Sequence, residues 1–561
     1  MTLTTPLMVA LPLICAVLIQ AFGAQRRRRR IARISIGGAA LTWLLSLMLL
    51  VSVLGNGPGT PTTIGPLVLL ADPLGALLAL MVSSIGLLVR VYSVRYMAQE
   101  PGYARFFTLL ELMSAALLAL VAAGDLITLA VSWHLIGVLL YFLLGQDTRS
   151  QSAYRYAAWT LITHRFGDLP LVLAAALLFH AYGSWSLPQI FAQMNAQPTA
   201  PTVFNLPLPE VVGALIALSA FARSAQCLLH TWLPYSMAGP TPVSALMHAG
   251  IVNAGGLLLN RFAPLFAHTN EVLFWVFAMG LVTAVIGSVL MLTQHDIKRS
   301  LGYSTMGQMG FMIMECGVGA FSLAIYHLIA HGLFKATLFL RSGSVIGDAR
   351  KQDRVPKDAL YTFVVERRPA RAPLPRLPMS MATLVLPLLV LLPAHWLITG
   401  PVFHPQGAVV LLFFGWVTGA QLIYATDRLR LHTPWRAMAA VFIAFLVAVP
   451  GYLFISHALA AWLYPDPALQ TDLYAAAGMD AAWFMTLMSV ISILMVCGWL
   501  FIYHTGQRPA GHHRRRGRHW LHRHGYALIS AQRGTINIGY DALGRRLIAA
   551  ANRLNVWLRW R

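Results

Sequence analysis

The sequence predicts an all-α polytopic membrane protein with about fifteen transmembrane helices. Three observations carry that expectation. The 561 residues are 58% hydrophobic and only 11% charged, with a mean hydropathy of +0.66, beyond what a soluble chain needs to build its cores. Apolar stretches of about 20 residues, the length that crosses a hydrocarbon core as a helix, recur from the amino terminus to about residue 504. The basic residues fall mainly between these stretches, and on alternate sides of them.

Taken in order, the spans are expected near 3–23, 33–54, 73–94, 106–123, 126–145, 156–181, 211–233, 242–266, 272–293, 302–317, 320–341, 378–400, 407–425, 437–457 and 481–504. The first is read as a span and not a signal peptide, because the cluster Arg26 to Arg30 follows it instead of leading it. Loops on one side carry Arg26 to Arg30, Arg95 with Arg105, Arg149 with Arg155, Lys298 with Arg299, Arg350 to Arg376, Arg428 to Arg436 and the Arg-rich tail. The loops 55–72, 182–210, 267–271, 401–406 and 458–480 contain no Lys or Arg. The positive-inside rule therefore places the amino terminus outside and the carboxyl terminus in the cytoplasm. One missed or invented helix would scramble this alternation, so it also tests the count.

Five parts follow: 1–100, amino-terminal helices; 101–348, a core; 349–377, a cytoplasmic loop; 378–504, further helices; and 505–561, a basic cytoplasmic tail. The formal charge of +22 does not mark a nucleic-acid partner, since the basic residues form no face on a soluble fold. Cys15, Cys227, Cys316 and Cys497 lie singly in apolar segments, which suggests neither disulfides nor a thiolate metal site. In the tail, GHHRRRGRHWLHRHG is a solvated basic stretch whose five histidines have no fixed metal geometry. Beyond Gly534, Tyr540, Leu543, Leu547, Ala551, Leu554 and Leu558 recur at helical spacing among arginines, an amphipathic helix for the membrane surface or a partner.

Ionisable groups at membrane depth cost several kcal/mol and are functional-site candidates by default. His134 falls mid-span five, Glu111 in span four, Arg165 and Asp168 in span six, Arg223 in span seven with His230 two turns on, His248 in span eight and Glu315 in span ten. Span eleven carries His327, His331 and Lys335 at i, i+4 and i+8, on one face, roughly 6 Å apart per step. Such a ladder suits proton transfer through a low-dielectric interior, because histidine both accepts and donates and waters bridge the gaps. A lysine can exchange its proton there whereas an arginine cannot. Helix-packing histidines are the plain alternative, favoured for His180 and His230. His327 and His331 also have the spacing of a helical zinc pair, but no general-base Glu and no third ligand accompany them. Between spans seven and eight, Pro234, Gly239, Pro240 and Pro242 prevent a continuous helix and free backbone groups at membrane depth, tolerable only in a cavity or within protein. Broken helices near charges are how transporters build ion sites.

The runs ARSAQCLLHTWLPYSMAGPTPVSALMHAG, QHDIKRSLGYSTMGQMGFM and IYHLIAHGLFKATLFLRSGSVIGD closely resemble the antiporter-like membrane subunits of respiratory complex I and of multisubunit Na⁺/H⁺ antiporters. The resemblance begins near Ala71, includes GYARFF at Gly102 and FGD at Phe166, and fades after Asp348, about half the chain. It implies a proton or cation pathway built from inverted repeats, its lysine and histidine chain falling on Arg223, His248, His327, His331 and Lys335.

Two departures stand out. Where the family pairs a glutamate of span five with a lysine of span seven, this chain has His134 and Arg223, so His134 becomes the member that exchanges protons. Beyond Asp348 the family's second lysine-bearing broken helix is replaced by LPMSMATLVLPLLVLLPAHWLITG. This combination is similar to the membrane subunits of DAB-type inorganic-carbon pumps. That resemblance implies a proton- or Na⁺-conducting subunit of a bacterial inner membrane, energising a cytoplasmic zinc-binding, carbonic-anhydrase-like partner that hydrates CO₂. The chain itself is expected to be no enzyme and to hold no cofactor, the zinc belonging to the partner. The alternatives are a divergent complex I or Na⁺/H⁺ antiporter subunit, and a membrane scaffold that conducts nothing.

Overall fold

A computed structural model of the chain describes residues 3–342, apart from 24–27, 148–149, 197–201, 204, 237–238, 270, 293 and 295, together with 457–478 and single positions between 393 and 553. Contacts divide the chain into two compact units, one of residues 1–342, 466–479 and 493–561 and one of 343–465 and 480–492. In the second, the described run 457–463 is helical. The spans expected near 378–400, 407–425, 437–457 and 481–504 lie almost wholly outside the described residues.

The first unit is a helical bundle. It begins with α1 (Thr4–Gly23), α2 (Arg28–Asn56), α3 (Pro73–Tyr96), α4 (Tyr103–Val121), α5 (Leu126–Leu144) and α6 (Gln151–Tyr182). Caps that the sequence carries set several starts. Asp72 accepts from Gly75 N at 2.9 Å with Pro73 in the first turn of α3, Asp125 accepts from Thr128 N at 2.9 Å for α5, and Ser150 accepts from Ala153 N at 3.3 Å for α6. With 32 residues, α6 is about 48 Å long against a hydrocarbon core of about 30 Å, so its first turns extend past the membrane on the arginine-rich side. Nine described helical segments, counting α10 to α11 as one, are long and apolar enough to cross a bilayer.

The loops without Lys or Arg contain more structure than the sequence predicts. A hairpin of β1 (Thr62–Ile64) and β2 (Leu67–Leu69) precedes α3, with Gly65 at φ +55° in its two-residue turn. Between α6 and the next span lie α7 (Leu187–Ala196), which buries Leu187, Ile190 and Met194 along one face, and the hairpin β3 (Thr202–Val203) with β4 (Leu206–Pro207).

Spans seven and eight depart further from the expectation of two continuous runs. Helix α8 (Leu208–Arg223) ends at Arg223, and Ser224 to Thr231 are irregular, with Ala225 at φ +50° and Leu228 at φ +70°. The four-residue α9 (Trp232–Tyr235) follows, then α10 (Thr241–Ala249), a 3₁₀ turn (Ile251–Asn253), α11 (Ala254–Arg261) and α12 (Ala263–Phe266). The main interruption therefore precedes the prolines. Pro234 lies within α9, while Gly239 and Pro240 lead into α10 and Pro242 sits in its first turn, where a missing N–H costs nothing.

The described bundle closes with α13 (Val272–Leu292), α14 (Ile297–Gly317), capped by Asp296 on Arg299 N, α15 (Phe321–Ser342) and the short α16 (Pro467–Ala476). Helices α13 and α14 touch backbone to backbone: a Cβ on Gly310 would meet Ala284 N at 2.4 Å, and one on Gly287 would meet Gly307 N at 2.6 Å. Small residues at such spacing are the usual means of close helix approach in lipid.

Candidate functional site

Two groups of polar side chains bring together most of the residues expected from sequence. The first is centred on Asp168 of α6. Its Oδ2 meets His134 Nδ1 of α5 at 2.9 Å and the Arg165 guanidinium at 2.8 Å, and its Oδ1 lies 3.5 Å from the Arg223 guanidinium. Arg223, 1% exposed at the last turn of α8, donates to Trp133 O at 2.6 Å and lies over the Trp133 ring at 4.5 Å. It is also 3.1 Å from His164 Nδ1, whose ring packs edge-on against Trp232 at 4.7 Å. A desolvated arginine needs several acceptors, and the end of α8 supplies the position from which one side chain reaches α5 and α6 together.

Arg223 and His134 are thus both partners of Asp168, which stands as the carboxylate between them. Arg165 Nη1 lies 2.8 Å from His134 Nε2 and Arg165 Nη2 donates to His134 O at 3.2 Å, so the guanidinium covers the imidazole. A proton reaching Nε2 requires Arg165 to swing away. His134 is the exposed member of the group, its side chain 56% accessible among the described residues.

The second group lines α15. Both oxygens of Glu315 lie 3.1 Å from His327 Nδ1, and His327 Nε2 lies 3.0 Å from Gln308 Oε1. Glu315 and Gln308 thus bracket the His327 ring, with one partner on each nitrogen. One turn on, the His331 ring centroid is 6.2 Å from that of His327, and after another turn Lys335 Nζ donates to Ser304 Oγ at 2.8 Å. His248 of α10 stacks on Phe339 at 4.2 Å. His248, His331 and Lys335 are buried, and both ring nitrogens of each histidine lack a partner among the described residues. The ladder runs along α15 from His327, where Glu315 at the end of α14 meets it, to Lys335.

The 3₁₀ turn between α10 and α11 lies between the groups. Ser224 Oγ donates to Val252 O at 2.8 Å, and Asn253 Nδ2 donates to Ala249 O at 2.8 Å and lies 3.5 Å from Leu328 O. A glycine at 332 is required there, because a Cβ would meet Ala249 O at 2.7 Å.

Of the residues expected from sequence, Arg223, His134 and Asp168 come together, as do His327, His331 and Lys335 with His248 alongside. Glu111 joins neither group. It pairs with Arg90 of α3 at 2.8 and 2.9 Å and accepts from Ser35 at 2.5 Å, while Arg90 also donates to Ser114 at 2.8 Å, so this buried pair is fully satisfied between α2, α3 and α4. Arg90, Gln308 and Asn253 escape the sequence reading, as does His164. Arg90 and His164 carry the same signal as the others, an ionisable side chain inside an apolar span, whereas Gln308 and Asn253 are uncharged and carry none. Among the described residues no three His, Cys, Asp or Glu side chains converge as a metal ion requires.

Residues 123–420 match the family described as NADH:quinone oxidoreductase/Mrp antiporter, TM, and residues 65–107 match the amino terminus of chain 5 of NADH-ubiquinone oxidoreductase (complex I). The chain is 51% identical, over 98% of both sequences, to the probable inorganic carbon transporter subunit DabB1 of Halothiobacillus neapolitanus. It is 39% identical to the chloroplastic NAD(P)H-quinone oxidoreductase subunit 5 of Ipomoea purpurea, over 49% of this chain and 39% of that one. In fold it resembles a chain of the Mrp complex from Dietzia sp. DQ12-45-1b, with a TM-score of 0.62 and 24% identity, over 99% of this chain and 60% of that one.

Proposed function

Because the chain belongs to the NADH:quinone oxidoreductase/Mrp antiporter family of multi-span membrane subunits, we propose that it is the cation-conducting subunit of an inorganic-carbon accumulation complex in a bacterial inner membrane. Protons, or Na⁺, pass through it and energise a cytoplasmic zinc-binding, carbonic-anhydrase-like partner that turns CO₂ into bicarbonate. The chain performs no catalysis of its own.

The observation that carries this reading is the ladder of His327, His331 and Lys335 one turn apart on α15, with His331, Lys335 and the Glu315 of α14 that meets His327 all buried. Charged groups at such depth are costly, and a stack of them spaced one turn apart along the transport direction is hard to justify as packing. His331 and His248 each present two ring nitrogens to the interior, so each can take a proton on one face and release it from the other, with Lys335 and Ser304 as the next station. At the other end Asp168 holds His134 and Arg223 on one carboxylate. Arrival of a proton at His134 displaces Arg165, which then competes with Arg223 for Asp168. That exchange of partners is a local switch driven by charge, of the kind by which carriers couple ion movement to shape. One charge moving through 100 mV releases about 2.3 kcal/mol, enough to bias a partner's equilibrium roughly fiftyfold.

The 51% identity over 98% of the chain to a probable inorganic carbon transporter subunit favours this reading over a complex I subunit, with which sequence identity extends over 49% of the chain. The test is co-purification of the tagged chain with metal analysis of what accompanies it, together with growth in air of cells lacking carbonic anhydrase. A zinc protein should be recovered, and Lys335→Ala and His331→Ala should abolish growth. Growth undiminished in both variants, or activity of the reconstituted complex undiminished after an uncoupler collapses the gradient, refutes conduction and leaves a scaffold.

A further inference from the structure

The carboxyl-terminal tail contacts the bundle at one described place, and the contact is specific. Between residues 505 and 561 there are twelve arginines and a single acidic residue, Asp541. That aspartate meets Arg155 Nε at 2.9 Å and Trp159 Nε1 at 3.1 Å, both on the protruding first turns of α6, with its second oxygen on the same guanidinium. Two residues on, Leu543 packs against the buried cluster of Trp159, Ile162 and Tyr235. The described positions 541–543 and 545–546 are helical.

Tyr235 belongs to α9, the four-residue helix that follows the irregular stretch from Ser224 to Thr231. Its ring stacks on Tyr156 at 5.3 Å and meets Trp159 at 5.7 Å. At the other end of α9, Trp232 packs on His164 at 4.7 Å and donates from Nε1 to Ala222 O at 3.2 Å, one residue before Arg223. With Ala225 and Leu228 at positive φ before it, α9 does not continue α8, so its placement rests on its side-chain contacts. It is held by aromatic contacts, on one side to the tail's anchor and on the other to the Arg223 and Asp168 group.

We propose that Asp541 and Leu543 form a clasp that positions α9, so that docking of the tail and the arrangement of His164, Arg223 and Asp168 are coupled through it. The tail is then the connection through which cation movement in the bundle is felt on the arginine-rich side, and reciprocally through which an event at the tail changes conduction. Asp541, Leu543 and Trp159 are positioning residues and touch no transported ion. The functional half of this inference rests on the conduction proposed above; the structural half, the link from tail to α9, does not.

The test uses the full-length protein in vesicles. Asp541→Asn is compared with wild type by hydrogen exchange over residues 224–236 and by proton flux read with an internal pH-sensitive dye. Loss of a bidentate pair of this exposure is worth roughly a fivefold shift in a local equilibrium. Exchange at 224–236 should therefore rise about fivefold and flux should fall by a similar factor. Leu543→Ala, which keeps the ion pair, should do the same, and Asp541→Arg combined with Arg155→Asp should restore both signals. If these variants loosen the tail alone and leave exchange at 224–236 at the wild-type level, the clasp is only an anchor and the inference is overturned. If wild type itself carries no flux, the proposed function fails while the exchange result still decides the clasp.

Discussion

Asp168→Asn is the substitution that asks most of the site. Asp168 is the one carboxylate touching His134, Arg165 and Arg223, and Arg223 is 1% exposed. At 3.5 Å and an effective dielectric of about 20, the Arg223–Asp168 attraction is about 5 kcal/mol. Removing one partner of a buried pair typically costs about 3–5 kcal/mol, because the remaining charge is stranded. Arg223 keeps Trp133 O, His164 and the Trp133 ring, and Asp168 is 10% exposed, so the loss should fall at the lower end, about 3 kcal/mol. The sign is distinctive in the double variant. Asp168→Asn with Arg223→Gln removes both members of the buried pair and leaves only the partly exposed Arg165 without its carboxylate, so it should be more stable than the single variant. Thermal unfolding of the detergent-solubilised protein gives the three stabilities, and proton flux in vesicles gives the function, which should be lost in both variants. A single variant as stable as wild type, or a double variant no more stable than the single, would refute the claim that Arg223 depends on this carboxylate.

Other outcomes follow from the same geometry. Lys335→Arg preserves the charge beside Ser304 but cannot release its proton, so flux should fall at least tenfold with folding intact; flux retained in that variant would argue that Lys335 only supplies charge. Gly310→Val places a branched side chain where a Cβ already meets Ala284 N at 2.4 Å, so α13 and α14 must part; a drop in monodisperse yield on size-exclusion chromatography, corresponding to a loss of about 3 kcal/mol or more, is expected. Asp72→Ala removes both the α3 cap and the partner of Arg261, costing about 2 kcal/mol in thermal unfolding while leaving flux per folded molecule unchanged, because neither residue touches the two polar groups.

Much of the described bundle was legible from apolar length alone. The expected starts and ends of α1 to α6 and α13 to α15 lie within about five residues of the observed ones, because a bilayer sets a minimum apolar length for each span and Asp72, Asp125, Ser150 and Asp296 mark where helices begin. The ladder on α15 was legible for the same reason: residues at i, i+4 and i+8 share a face whatever surrounds them. The break in span seven was not. Its irregular residues, SAQCLLHT, contain neither proline nor glycine, and the turn is fixed by tertiary bonds such as Ser224 to Val252 O and Cys227 N to Thr283.

By itself the sequence determined what depends on neighbours along one helix: span positions, caps, the alternation of basic loops and the one-turn spacing of His327, His331 and Lys335. Only the tertiary structure decided which charges meet. It placed Asp168 between His134 and Arg223, set Glu111 apart on Arg90, gave His327 its Glu315, and brought Asp541 across 386 residues to Arg155. The physical reason is range. Helix formation and membrane insertion are settled within a few turns, but a buried charge must find its partner in space, and several helices offered one.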